Sequence, residues 1–140
     1  FGVDGTPYML KEGYSTVTVK YDDRRNIVQQ EFTGTDGKPV ENETGYSRVV
    51  IRYDERGNRI QLEYFGRSGE PVLISDGYSK IKAMYDSYGY MINAEYYGTN
   101  GLPVNNAMGY ARLSTEYRAD GTIVKRSFYD AAGREIKRNN

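Results

Sequence analysis

Apolar and polar residues alternate along much of this chain with a period of two. In one segment, Val49 and Ile51 fall on one side of the alternation and Arg48 and Arg52 on the other, and residues 60–64 alternate again after a short polar turn. This period is typical of a half-buried β-strand. Helix is disfavoured because glycine or proline recurs every few residues. The pattern therefore predicts pairs of strands joined by short turns.

The alternation recurs at a fixed interval. The prolines are spaced by 32 residues, at Pro7, Pro39, Pro71 and Pro103. The Gly-Tyr pairs ending at residues 14, 46, 78 and 110 keep the same interval. We therefore interpret residues 1–140 as a single repeat array with units 1–32, 33–64, 65–96 and 97–128 and a partial unit 129–140. Because the array starts and stops within a unit, we expect it to be a piece of a longer chain.

An isolated two-stranded hairpin is marginal in water, so each hairpin needs its neighbour to cover its inner face. The predicted fold is all-β, an open, solenoid-like array of stacked β-hairpins. A closed barrel of eight or more strands is the alternative, which identical units with identical loops disfavour.

A four-residue turn would put Tyr53 and Ile60 on one face. Arg25 stands where the other hairpin turns have glycine, so the first hairpin is expected to turn differently.

Composition restricts the chemistry. The 140 residues include 15 Tyr, 4 Phe and 16 Gly, but no Cys, His or Trp. This excludes disulfides, Cys/His zinc sites and catalysis by imidazole or thiolate, and we expect no cofactor, no metal and no enzyme activity. The 19 basic and 19 acidic residues cancel, which argues against a nucleic-acid partner. No stretch approaches the roughly 20 apolar residues of a membrane span, so no membrane insertion is expected.

One surface is a candidate binding site. The alternation places the Gly-Tyr tyrosines on the face opposite the aliphatic residues, beside basic side chains. The candidate ligand-binding residues are Tyr14, Tyr46, Tyr78, Tyr110, Arg48, Lys80 and Arg112. Outward tyrosines could stack on sugar rings, whereas the competing interpretation is that they hold neighbouring units together, as residues present in every copy commonly do.

The acidic residues have structural interpretations. Glu31, Glu63 and Glu95 recur on the outer face and would oppose the basic residues across strands. They lack the asymmetric pair that glycoside hydrolysis requires. Asp22, Asp54 and Asp86 begin hairpin turns and are better explained as caps of backbone N–H groups than as calcium ligands.

Two segments carry a family resemblance. Residues 53–60 (Tyr-Asp-Glu-Arg-Gly-Asn-Arg-Ile) and 129–136 (Tyr-Asp-Ala-Ala-Gly-Arg-Glu-Ile) resemble the tyrosine-aspartate repeats of bacterial Rhs-type surface and toxin proteins. The whole unit is similar to tandem Tyr/Gly repeats of bacterial secreted or membrane-anchored proteins. The resemblance implies ribbons of β-hairpins at the cell surface or outside the cell, and it supplies no catalytic residue.

Three functions follow as expectations. The first is an extended spacer or protein-interaction surface of a secreted or surface-attached bacterial protein. The second is a carbohydrate or cell-wall binding module, with cell-wall glycan or another surface protein as partner. The third is a fragment of a repeat shell that encases a toxin.

Overall fold

The computed structural model describes residues 16–137, which form one antiparallel sheet. The nine strands are β1 (Thr16–Tyr21), β2 (Ile27–Thr33), β3 (Arg48–Tyr53), β4 (Arg59–Phe65), β5 (Lys80–Tyr85), β6 (Met91–Tyr97), β7 (Arg112–Tyr117), β8 (Ile123–Tyr129) and β9 (Glu135–Ile136). They lie in the sheet in the order of the sequence, the sheet does not close on itself, and no helix occurs within this range. The predicted open all-β array is confirmed.

Neighbouring hairpins join edge to edge. Each hairpin is internally paired along its length, as in β3 with β4, and a shorter ladder ties it to the previous hairpin. At the first joint, Gln29 faces Val50 and Glu31 faces Arg48. Ile74 of the unit 65–96 packs with Val49 and Ile51 of the preceding unit, so the next copy covers the inner face of a hairpin as expected, and it also extends the sheet sideways. Unpaired N–H and C=O groups at a strand edge favour this arrangement.

The segments between hairpins provide this cover of the inner face. After β2, the chain makes a tight turn and returns through a single bridge between Pro39 and Thr33. Residues 41–46 then form a short lobe before β3 begins, and later copies repeat this lobe at 73–78 and 105–110. The core comprises Val49 and Ile51 on the sheet, together with Tyr64 and the lobe residue Ile74. We call the face that bears Val49 and Ile51 the inner face, and the opposite face, which bears Arg48, the outer face.

The hairpin turns differ from the four-residue expectation. Five residues, 54–58, separate β3 from β4, and the ladder shifts register next to Tyr53 because it contains a β-bulge. The turn is fixed by the Asp54 amide, which donates to the Asn58 carbonyl, and by the Gly57 amide, which donates to the Asp54 carbonyl. The bulge accounts for the fifth turn residue, which the predicted four-residue turn lacks.

The first hairpin has the same turn as the others. The Asp22 amide donates to the Asn26 carbonyl and the Arg25 amide to the Asp22 carbonyl, as at the equivalent glycine-containing turns. Arg25 adopts a φ of 67°, in the left-handed region. The expectation of a different turn is therefore wrong, because the flanking hydrogen bonds impose the turn and Arg25 takes the backbone strain.

Arg25→Gly should consequently stabilise the protein by about 1 kcal/mol, since it removes the strain of a side chain at positive φ. Chemical denaturation of both proteins measures the difference. Arg24→Gly in the same turn is the control: Arg24 does not have a positive φ, so this change should not stabilise. Equal or lower stability of Arg25→Gly would show that Arg25 bears no strain.

Candidate functional site

Seven aromatic rings form a continuous row on the inner face. Lobe tyrosines alternate with strand aromatics in this row, which we call the aromatic spine: Phe32, Tyr46, Tyr64, Tyr78, Tyr96, Tyr110 and Phe128. Successive ring centroids are between 4.8 Å (Tyr46 to Tyr64) and 6.0 Å (Tyr64 to Tyr78) apart. Most pairs meet edge to face, an arrangement worth roughly 0.5–1.5 kcal/mol a pair beyond area burial. The spine crosses every joint between the described hairpins.

This placement corrects the predicted position of the Gly-Tyr tyrosines. Tyr46, Tyr78 and Tyr110 were expected on the face opposite the aliphatic residues, yet their rings pack on the inner face; Tyr14 lies outside the described residues. The reason is that β3 begins only at Arg48 and Gly45 has a φ of 104°. The lobe therefore interrupts the two-residue period before it reaches Tyr46. Packing between copies, the competing interpretation, is the role these rings take.

Burial changes the acidity of the spine. Desolvation, reinforced by the neighbouring Tyr110 phenol, raises the pKa of Tyr96 from its ordinary value of 10.0 to about 12. The pKa values of Tyr64 and Tyr78 are raised for the same main reason. Removal of water stabilises the neutral phenol over the phenolate. The spine is therefore held together by uncharged rings.

The protein should accordingly lose stability in alkali. Because the folded pKa of Tyr96 lies above the unfolded value, its contribution is complete below pH 10.0 and is lost as the pH rises towards about 12. Denaturant titrations across that range should show a falling free energy of unfolding. Tyr96→Phe should flatten the dependence, and Phe32 and Phe128 show that phenylalanine fits such a position. A pH dependence unchanged by this variant would contradict the assignment.

The basic candidates lie on the outer face, away from the lobe tyrosines. Each packs over an aromatic ring of the strand beside it: the Arg48 guanidinium is 4.5 Å from the ring centroid of Phe65. The equivalent distances are 5.1 Å for Lys80 over Tyr97 and 3.6 Å for Arg112 over Tyr129. The predicted site therefore divides between the two faces, and its tyrosines and cations do not meet at one ligand.

The glutamates oppose these cations as predicted. Across the joints, Glu31 faces Arg48, Glu63 faces Lys80 and Glu95 faces Arg112. Each cation thus has a carboxylate strand partner on one side and an aromatic ring on the other. This alternation of charge cancels the field that a purely basic stripe would create.

The turn aspartates act as caps, as predicted. One Asp22 side-chain oxygen accepts hydrogen bonds from the amides of Arg24 and Asn26, at 2.8 and 2.9 Å. The Asn26 amide is the main cause of the lowered pKa of Asp22. Asp54 makes the equivalent bonds. Within residues 16–137, no cluster of three or more His, Cys, Asp or Glu side chains is arranged to hold a metal ion.

Tyrosines at the ends of strands fasten each hairpin to the preceding one. The Tyr53 hydroxyl donates to the Ile27 carbonyl at 2.6 Å, and Tyr85 and Tyr117 repeat this bond to Arg59 and Met91. These bonds lie where the short ladder between hairpins has ended. They give each of these phenol hydroxyls a backbone partner.

Two open recesses separate successive hairpin tips, and the sequence interpretation missed them. The first, of about 500 Å³, lies over Tyr53 and between the turns 22–26 and 54–58. The second, of about 380 Å³, lies over Tyr85. A side-chain bond from Arg24 to the Glu55 carbonyl spans the first, at 2.6 Å, and Arg56 bonds the Ser87 carbonyl across the second. The sequence feature that could have indicated the recesses is one repeat position whose residue varies between copies, occupied by Asn26, Asn58, Tyr90 and Thr122.

The similarity searches do not assign a family. No family model matches the sequence, and no curated protein shows significant similarity to it. In the described part of the chain, no helix has the length and apolar character needed to cross a membrane.

Proposed function

We propose that this chain is a non-catalytic repeat module that acts as an extended spacer or protein-interaction surface of a secreted or surface-attached bacterial protein. One observation carries the spacer role: within residues 16–137, each strand contacts only the strands next to it in sequence. Such an array lengthens by one hairpin per repeat without a change in its existing contacts. The cellular location rests on the resemblance to bacterial surface repeats.

The dimensions of the sheet support this role. Nine strands spaced by about 4.8 Å give a length of about 40 Å across the strands, whereas each strand of six or seven residues runs for about 20 Å. The long axis is thus the direction in which repeats are added. The equivalence of Glu31, Glu63 and Glu95, each opposite a cation, supports a non-catalytic role, because catalysis requires carboxyl groups in different environments.

Carbohydrate binding by the Gly-Tyr tyrosines has less support. Ring faces that would stack on sugar are occupied in the spine, as where Tyr46 lies between Phe32 and Tyr64. On the outer face, Arg112 covers the ring of Tyr129. The toxin-shell alternative rests on the tyrosine-aspartate resemblance alone.

Insertion of one repeat tests the spacer proposal. A second copy of residues 65–96 placed after residue 96 should lengthen the folded protein by about 10 Å, the width of two strands, in small-angle X-ray scattering. Deletion of 65–96 should shorten it equally. The matched control inserts only residues 65–80, which breaks the register and should disrupt folding. A folded 32-residue insertion that leaves the maximum dimension unchanged would refute the proposal.

A further inference from the structure

The third gap between hairpin tips differs from the first two because the protein fills it with its own side chain. Tyr90 lies on Tyr117 with ring centroids 5.0 Å apart and an interplanar angle of 32°. Tyr117 is the repeat equivalent of Tyr53 and Tyr85, which form the floors of the open recesses. The fold therefore contains an example of a six-membered ring seated on this floor.

The corresponding space is open in the first two gaps. Asn26 and Asn58 stand where Tyr90 stands in the third hairpin. A Cβ built on Gly121 would lie 2.8 Å from the Tyr90 hydroxyl oxygen, whereas one built on Gly57 or Gly89 would meet nothing within 4 Å. The two recesses consequently have the same tyrosine floor as the third gap and open space beside Gly57 and Gly89, but no ring of their own.

The residues that line the first recess indicate what kind of ring it would bind. The first recess is lined by Asp22, Arg24, Arg52, Asp54 and Glu55 above an apolar base that includes Ile51. These closely spaced charged and amide groups can hydrogen-bond to a ligand that carries hydroxyl groups around its edge. Tyr90 fills the third gap with its phenol ring. In that gap, Tyr88 and Ala119 stand at the repeat positions that Arg24 and Glu55 occupy in the first gap.

We propose that the recesses over Tyr53 and Tyr85 bind six-membered sugar rings of a glycan, one ring stacked on each phenol. Arg24, Glu55 and Asp54 would then hydrogen-bond the sugar hydroxyls at the first recess. Adjacent hairpins repeat about every 10 Å, so one glycan chain could occupy both recesses. This site shares no residue with the candidate set of lobe tyrosines and outer-face cations, and it is an addition to the spacer role.

Solution NMR of protein carrying ¹³C-labelled tyrosine rings tests the proposal. The probes are maltohexaose, cellohexaose and chitohexaose, with N-acetyltyrosine amide as the aromatic comparison. At least one glycan should shift the Tyr53 and Tyr85 rings saturably and leave the Tyr117 ring unchanged. Absence of saturable shifts with all three glycans, or binding of the aromatic probe alone, would overturn the assignment to sugar.

Matched variants locate the sites. Asn26→Tyr places in the first recess the residue that the third hairpin already accommodates, and should abolish the Tyr53 response while leaving that of Tyr85. Asn58→Tyr should do the reverse. Thr122→Tyr, at the same repeat position on the last described tip, is the control and should change neither response.

If Asn26→Tyr or Asn58→Tyr does not fold, a substitution at the edge of the first recess still tests the proposal. Arg24→Ala, at an exposed position, should weaken binding at the first recess by about tenfold through loss of a charged hydrogen-bond donor. Unchanged binding at both recesses in Asn26→Tyr and Asn58→Tyr would overturn the site, and so would unchanged binding at the first recess in Arg24→Ala. The scattering test of repeat insertion does not depend on either outcome.

Discussion

Tyr64→Ala should lower the free energy of unfolding by about 3–5 kcal/mol, the cost of truncating a large buried aromatic side chain. The Tyr64 side chain is 9% exposed and lies between the rings of Tyr46 and Tyr78. Its loss leaves a cavity and removes ring contacts on both sides of a joint between hairpins. Because domains are stable by only about 5–15 kcal/mol in total, this change should bring the protein close to unfolding.

Two control variants distinguish the loss of a spine ring from the general effect of truncating an aromatic side chain. Tyr64→Phe should cost much less, since Phe32 and Phe128 hold equivalent positions in the spine. Tyr88→Ala removes a ring that is 67% exposed and should have a small effect. Denaturant unfolding monitored by circular dichroism measures all three variants. Similar losses for Tyr64→Ala and Tyr88→Ala would contradict a structural role for the spine.

Gly77→Ala should cost about 2–4 kcal/mol, from positive-φ strain and a backbone overlap. Gly77 has a φ of 87°, and a Cβ there would lie 2.9 Å from the Ala107 amide nitrogen of the next lobe. That amide donates a 2.7 Å hydrogen bond to the Asp76 carbonyl. The added methyl group would therefore force apart two lobes that are joined through their backbones.

Gly89→Ala is the matched control. Gly89 has the same φ of 87°, but a Cβ there would meet nothing within 4 Å. This variant should cost only about 1 kcal/mol, the strain of a side chain at positive φ. The difference between the two variants isolates the contact between lobes, and denaturant unfolding of both proteins would measure it. Equal costs would mean that the lobes do not pack as described.

The sequence predicts the strands well because the two-residue period is a local property of extended backbone. It correctly assigns Val49 and Ile51 to the buried face, and it identifies Asp22 and Asp54 as turn caps because an aspartate binds amides only a few residues away. These features depend on neighbours in the chain. A single sequence is sufficient to derive them.

The period fails where the chain leaves the strand. Alternation places Tyr46 on the wrong face because the positive φ of Gly45 changes the direction of the chain before β3 begins. The bulge beside Tyr53 likewise adds a residue that alternation does not count. The recesses arise between hairpins: Asn26 and Tyr53 line the first, and Arg56 and Tyr85 line the second. Only the three-dimensional arrangement brings these residues together.

The aromatic spine is tested most directly by nuclear Overhauser contacts between tyrosine and phenylalanine rings in solution. The structure predicts contacts from Tyr46 to both Phe32 and Tyr64, with centroids at 5.6 and 4.8 Å, and the same succession through Tyr78 and Tyr96. Contacts from the Tyr46 ring to outer-face side chains such as Arg48, with none to Tyr64, would contradict the inner-face packing on which the fold depends.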